Sequence, residues 1–208
     1  ALSTNFKPTG LYASMPNYPA RGDIASAKAL LDSAGIKPDA NGVRIRAILD
    51  LIPYGEDWRR AGEYLKQVLG DIGIKLELRY EDVPTWLKRI YHNYDFVMNV
   101  NYFYQLPDPV LGVHRHYGTD QIRKGTHFVN SSRYSNSELD ELLASGATEA
   151  NAQKRTQIYK KIQEILARDM PVVNLFELQF LTVYNTKLKG AYNSALGAYA
   201  SFSEAYLD

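Results

Sequence analysis

The alternation of strand-like and helix-like patterns over residues 43–101 limits most narrowly what this chain can fold into. Apolar residues alternate with charged ones at 43–47 and 74–81, and the run from Phe96 to Val100 is mostly apolar, so three strands are predicted. Between these strands, apolar residues recur every three or four positions, as they do along one face of a helix. Short connections and right-handed crossovers then predict a parallel β-α-β-α-β core sheet within an α/β fold.

The ends of these predicted strands are the expected location of a ligand site. Ligands of parallel sheets bind beyond the carboxyl ends of the strands. The third strand runs into a loop of aromatic and amide residues that closes with Pro107-Asp108-Pro109, and each proline restricts the residue before it. Such a stiff, aromatic surface is suited to a small molecule. The candidate ligand-binding residues are Tyr54, Asn101, Tyr102, Phe103, Tyr104, Gln105, Asp108 and Arg115.

The remaining sequence predicts the domain organisation. Residues 1–22 have no periodicity and are predicted to be an extended linker, 23–190 to form one ligand-binding lobe, and 191–208 to be a C-terminal tail. A capping box at Ser135 predicts a short helix, and a second helix is predicted over roughly 152–168. Two additional strands are expected at 172–176 and 180–184.

Composition excludes several classes of function. A net charge of +1 provides no electrostatic basis for binding nucleic acid, and the absence of cysteine excludes disulfides and thiolate metal sites. No glycine-rich phosphate loop and no G-x-S-x-G nucleophile motif occurs. No cofactor and no metal is therefore expected, and the arginines at 44 and 46 are interpreted as the solvated face of a strand.

Several single residues allow two interpretations. His114 and His116 would share a face only on a strand, and are otherwise surface or network histidines. Asp108 contacts a ligand or caps the helix that follows Pro109. Arg115 binds a ligand carboxylate, which its planar fork suits, or it forms a structural ion pair with Asp108 or Glu177. The sequon at Asn130 is interpreted as loop chemistry.

An ordered set of sequence blocks resembles one family. The blocks resemble the second lobe of the bacterial extracellular solute-binding proteins of family 5, the peptide and nickel class that serves ABC importers. No single block is decisive, but together they cover nearly the whole chain. They are Ala27 to Gly35 with Asn41 to Arg44, Leu65 to Leu76, Trp86 with Tyr94-Asp95, Pro107-Asp108-Pro109, Asn130 to Asp140, and Arg155 to Pro171.

This resemblance implies half of a two-lobed clamshell, a periplasmic-binding-protein-like lobe of the type II (cluster C) kind. The first lobe and a signal peptide are expected to lie outside this chain, and the tail to return to that first lobe. A peptide or other small solute would bind between the lobes of a monomer, which would deliver it to the transmembrane subunits of an ABC permease. The loop at 101–107 resembles a Gram-negative subgroup, which favours the periplasm.

In peptide-binding members of the family, an aspartate three residues before the Asp-Pro pair holds the peptide amine. Gln105 occupies that position here, and an amide offers no full charge to an ammonium group. A modified peptide, an opine-like or sugar-containing solute, or a non-peptide cation therefore stays open beside an ordinary peptide.

Two functions other than solute transport also stay open. One is a sensory or interaction module on the same fold, because a fold does not determine function. The other is a hydrolase that uses Asp108, Glu177 or a histidine, although no activated nucleophile is visible in the sequence.

Overall fold

The computed structural model of the chain describes residues 22–103, 108–176, 178, 182–191 and 201–208. These residues fall into two compact units, of which the first ends at Asn174 and the second begins at Leu175. The predicted linker lies almost wholly outside the described residues. The predicted lobe boundaries stay predictions.

The first unit alternates helices and strands up to residue 100, and three more helices follow. The elements are α1 (Ile24–Ser33), β1 (Ile45–Leu51), α2 (Glu56–Gly70), β2 (Ile74–Arg79), α3 (Val83–Leu87) continued by a π-helical stretch (Lys88–Asn93), β3 (Met98–Val100), α4 (Val113–Tyr117), α5 (Ser137–Thr148) and α6 (Ala152–Asp169). Short 3-10 turns lie at Pro109–Leu111 and Thr119–Gln121. None of the helices in the described part of the chain combines the length and apolar character that crossing a membrane requires.

The three strands of the first unit form a parallel sheet in the order β2-β1-β3. Leu49, in the central strand, lies opposite Leu78 on one side and Met98 on the other. Together with α2 and α3, this sheet confirms the predicted β-α-β-α-β core.

Two apolar clusters stabilise the first unit. The cluster around the sheet consists of Leu49, Leu51, Ile52, Trp58, Leu76, Trp86, Ile90, Tyr91, Val100 and Val129. The other joins α4, α5 and α6 through Val113, Tyr117, Leu139, Leu143, Tyr159, Ile162, Ile165 and Leu166. Burial of apolar area is the main favourable term in folding, so these clusters fix where the loops between the elements emerge.

A network of charged side chains surrounds Asp50 in the parallel sheet. Asp50, on β1, is fully buried and accepts hydrogen bonds from Nε and Nη2 of Arg79 at 2.6 and 2.9 Å. Arg89 is 3.8 Å from the same carboxylate and also pairs with Glu81 and Asp95. A buried carboxylate needs such partners, because desolvation without them is costly.

The second unit has one antiparallel pair in its described part. β4 (Leu188–Lys189) pairs with β5 (Tyr206–Leu207), and the N–H of Asp208 donates to the carbonyl of Lys187 at 2.8 Å. The predicted return of the tail to a first lobe stays a prediction.

Three local predictions were wrong. The guanidinium of Arg44 is not solvated: it is 8% exposed and donates to Asp32 at 2.7 Å. The cap of α5 is Asn136, whose side chain accepts the N–H of Leu139, whereas the Ser135 hydroxyl bonds a threonine. No strand forms at 172–176, and residues 180 and 181 lie outside the described part.

Candidate functional site

The carboxyl ends of the three parallel strands lie at one edge of the sheet, as the sequence predicted. Strand β1 continues into Pro53 and Tyr54, and β3 continues into the loop that starts at Asn101. Tyr104 and Gln105 lie outside the described residues, so their predicted contacts with a ligand stay predictions.

A cleft of about 440 Å³ opens where β1 and β2 end. Leu51, Pro53 and Tyr80 supply much of its apolar lining. The guanidinium of Arg59 lies over the ring of Tyr80, 4.5 Å from its centroid. The cleft thus combines apolar walls with a cation, which suits a small organic ligand.

The two acidic residues that line this cleft are held by neighbours. Glu81 accepts from Arg89 at 2.6 Å, and this bond lowers the pKa of its carboxyl. Asp82 accepts the backbone N–H of Thr85 at 2.8 Å, which lowers its pKa in the same way. Both carboxylates are therefore ionised at neutral pH and serve the local structure.

Three aromatic rings form a shelf at the ends of β1 and β3. The ring of Tyr102 stacks on Trp58 with centroids 5.4 Å apart, and it meets Tyr54 edge-on at 5.8 Å. Tyr102 therefore supports the shelf from the core side. Tyr54 is 41% exposed and offers a face to a ligand.

Asn101 fixes the start of the loop. Its Nδ2 donates to the hydroxyl of Tyr91 at 2.7 Å, and its Oδ1 accepts the N–H of Tyr102 at 2.9 Å. Burial raises the pKa of Tyr91 to about 12, so its hydroxyl stays protonated. Asn101 thus holds the loop through contacts within the chain.

Phe103, the next residue of the loop, packs against a histidine and not against the aromatic shelf. Its ring centroid is 3.7 Å from that of His116, which is buried in α4. Burial, and next the charge of Arg115, lower the pKa of His116 to about 3, so the imidazole is neutral at physiological pH.

The two histidines of α4 do not converge. Positions two apart on a helix point in nearly opposite directions, so a shared face is ruled out. His114 lies 3.7 Å from Asp120, whereas His116 is buried. Among the residues that the structure describes, no three His, Asp or Glu side chains come together to hold a metal ion.

The carboxylate of Asp108 makes two sets of contacts within the chain, one with a backbone N–H and one with an arginine. It accepts the N–H of Val110 at 2.9 Å, which confirms that it caps the turn after Pro109. Both its oxygens also accept from Arg155, at 2.8 and 3.0 Å, and this pair lowers the pKa of its carboxyl. The predicted alternative of an ion pair with Arg115 is therefore wrong.

Arg115 contrasts with Asp108. Its side chain is half-buried, and its Nε lies out of contact with water without a hydrogen-bond acceptor. No carboxylate of a described residue lies within 4.0 Å of its guanidinium, and Glu177 is outside the described part. The predicted ion pair of Arg115 with Glu177 therefore stays a prediction.

Sequence reasoning missed three supports of this edge. These are Trp58, Tyr91 and Arg155, none of which the sequence analysis proposed as a site residue. Their roles depend on which strand end each helix packs against, and no local pattern carries that information. The sequon residue Asn130, by contrast, is buried and donates to two backbone carbonyls, as loop chemistry requires.

The comparisons with known proteins now assign the family. The family described as "Bacterial extracellular solute-binding proteins, family 5 Middle" matches residues 2–123, more than half of the 208. The chain belongs to this family. Its members are binding proteins, and the region matched includes the strand ends, the shelf and Arg115.

Curated relatives of this family-5 chain carry peptide-related names. A "Peptide transport periplasmic protein SapA" from Haemophilus influenzae is 24% identical over 71% of this chain and 26% of its own length. A "Dipeptide-binding protein" from Pseudomonas aeruginosa is 22% identical over 86% of this chain and 32% of its own. The family-5 chain therefore spans about a third or less of these relatives.

Solved structures support the same family fold. A putative peptide binding protein AppA from Clostridium difficile superposes with a TM-score of 0.73 at 25% identity, over 95% of this chain and 40% of that one. A dipeptide binding protein from Pseudoalteromonas in complex with Met-Leu gives a TM-score of 0.68 at 20% identity, over 78% and 31%. The periplasmic-binding-protein-like α/β fold is thus confirmed.

Proposed function

We propose that this chain is one lobe of the substrate-binding component of an ABC importer. The lobe captures a peptide or peptide-like solute against a second lobe and delivers it to the transmembrane subunits of a permease. The observation that carries this proposal is the gathering of the aromatic shelf and the amide of Asn101 at one sheet edge of a family-5 lobe.

The proposed contacts divide into two groups. Tyr54, Phe103 and Arg115, with Tyr104 and Gln105, contact the solute directly. Asn101, Tyr102 and Asp108 hold the loop, since their described side-chain contacts are made within the chain. Gln105 in place of a charged amine partner keeps modified peptides, opine-like or sugar-containing solutes and cations as alternative cargoes.

The wider setting is part of the same proposal. The name of one relative, a periplasmic protein, and the resemblance of the loop support a location in the periplasm of a Gram-negative bacterium, where the protein is proposed to act as a monomer. In that compartment a binding protein increases the local supply of solute to its permease.

Native mass spectrometry of the full-length protein purified from its own host tests the proposal. A co-purified peptide with a free amino terminus would support peptide transport despite Gln105. A sugar-linked, opine-like or cationic solute would support import with another specificity. Turnover of a bound compound would contradict the importer role. So would uptake of the bound solute that is unchanged when the gene is deleted.

A further inference from the structure

Two exposed histidines from separate elements meet on the surface of the first unit. His92 lies in the π-helical stretch that continues α3, and His127 lies in the loop before α5. Both side chains are exposed, and their ring centroids are 5.5 Å apart with the ring planes inclined at 56°. Neither histidine lines the cleft at the ends of β1 and β2, so the pair is separate from the proposed solute contacts.

Contacts within the chain hold the two histidines side by side. The N–H of Gly125 donates to the carbonyl of Tyr91 at 2.8 Å, which ties the loop to the residue before His92. The ring of Tyr91 also packs on His127, with centroids 5.8 Å apart. A methyl group built on Gly125 would come to 3.3 Å from Cε1 of His92, so the glycine lets the imidazole lie close against the loop. The pair is therefore preorganised, which lowers the entropic cost of binding a ligand.

The backbone beside both histidines is unusual. His92 belongs to a π-helical stretch, a form that is rare and frequent at functional sites. Tyr94, which ends that stretch, and Phe128, next to His127, have positive φ angles of 53° and 57°. Bulky residues rarely adopt such angles, and those that do are concentrated at functional sites. The backbone thus marks the same place as the ring contact, on independent grounds.

The spacing of the two rings matches a shared transition-metal ion. A metal held about 2.1 Å from a ring nitrogen lies about 3.2 Å from the ring centroid, so two imidazoles on one tetrahedral ion have centroids about 5.2 Å apart. The 5.5 Å between His92 and His127 agrees with this spacing. Because both side chains are exposed, each ring can turn to direct a nitrogen at the ion without disturbing the core.

We infer that His92 and His127 form a surface site for a divalent transition-metal ion, with water in its remaining coordination positions. Imidazole suits Zn²⁺, Cu²⁺ and Ni²⁺, whereas Mg²⁺ and Ca²⁺ prefer oxygen ligands. Among the described residues no third His, Asp or Glu completes the site, so the ion is held less tightly than a structural zinc and exchanges with solvent. Arg123 and Lys124 add positive charge to the same loop, which also limits the affinity.

Zinc titration of the 208-residue chain, followed through the imidazole nitrogens in nitrogen-15 NMR spectra, tests the inference. We expect Zn²⁺ to shift the ring resonances of His92 and His127 together, with a single dissociation constant. The ring of His114, which lies 3.7 Å from Asp120, is the internal control and should respond only at much higher zinc concentration. Mg²⁺ at the same concentration should shift neither ring of the pair.

Variants separate one shared ion from two independent ones. We expect His92→Gln and His127→Gln each to weaken zinc binding about 100-fold, the lower end of the gain that joining two ligands gives. If each imidazole bound its own ion, either variant would leave the affinity of the other ring unchanged. His114→Gln should leave binding by the pair unchanged. Amide spectra that keep their dispersion establish that each variant is folded.

Three outcomes would overturn the inference. They are ring shifts of His92 and His127 with different dissociation constants, unchanged zinc affinity in either single variant, or an equal response of His114 and the pair. None of these results bears on the importer role, because neither histidine of the pair is among the proposed solute contacts.

Discussion

At the scale of single residues, the carboxylate of Asp169 joins the end of α6 to the start of α5. Arg168 contacts it at 2.7 Å, Tyr134 donates its hydroxyl at 2.6 Å, and Asn136 donates at 3.0 Å. These bonds, that of Arg168 first, hold the pKa of Asp169 well below its usual range. Burial, and next the bond to Asp169, raise the pKa of Tyr134 to about 12.

The variant Asp169→Asn should alter the acid dependence of stability. Because the pKa is lowered in the folded state, the carboxylate stabilises the fold fully at pH values above its ordinary pKa of 3.8. This stabilisation is lost as the pH falls through the lowered pKa. We expect the urea midpoint of the unmodified chain to exceed that of the variant at neutral pH, and the difference to shrink below about pH 4. Parallel profiles would contradict this, and the exposed Glu164→Gln change in the same helix is the control.

Asp50 presents the opposite case of a charge that is wholly buried. The variant Asp50→Ala leaves Arg79 without its bidentate partner inside the sheet. We expect a loss of about 3 kcal/mol in the free energy of unfolding, at the lower end for buried pairs because Arg79 is 27% exposed and can recover hydration. Urea unfolding measures it, and Lys66→Ala, which breaks an exposed pair, should change stability by less than about 0.5 kcal/mol.

At the scale of elements, helix α2 approaches β1 through Gly62. A methyl group built on Gly62 would come to 2.5 Å from Cδ1 of Leu51, whereas one on Gly70 in the same helix would meet nothing within 4 Å. We expect Gly62→Ala to destabilise the chain by about 1–3 kcal/mol through overpacking. Gly70→Ala should be neutral or stabilise by up to about 1 kcal/mol, since alanine is the better helix former. Thermal unfolding of both variants tests this, and equal effects would contradict it.

The elements also reveal what the sequence could predict. The β-α-β-α-β core was predictable because each of its segments carries its own apolar period. The location of Tyr54 and Asn101 then followed from parallel topology. Asp108 pairs with Arg155 across 47 residues, and no local pattern indicates that partner. The cap of α5 was misjudged because Ser135 and Asn136 are both good caps, and the contact of Ser135 with Thr119 decides between them.

At the scale of the whole molecule, the chain supplies one wall of the proposed cleft. It spans 26% and 32% of the two curated relatives described above, so the contacts of a second lobe are expected from elsewhere. We expect titration calorimetry of the 208-residue chain with the natural solute to give weak or undetectable heat, because the proposed second lobe would supply about half of the contacts. A tight signal from this chain alone would contradict the two-lobed proposal.

The position of β1 also bears on how the sheet is assembled. β1 precedes β2 and β3 in the sequence and is the central strand in the order β2-β1-β3. Each later strand can therefore add to a free edge of β1, with pairings such as Ile45 with Ile74 and Leu49 with Met98. The sheet can nucleate on β1 and grow outward with the emerging chain, and no strand has to enter between two that are already paired.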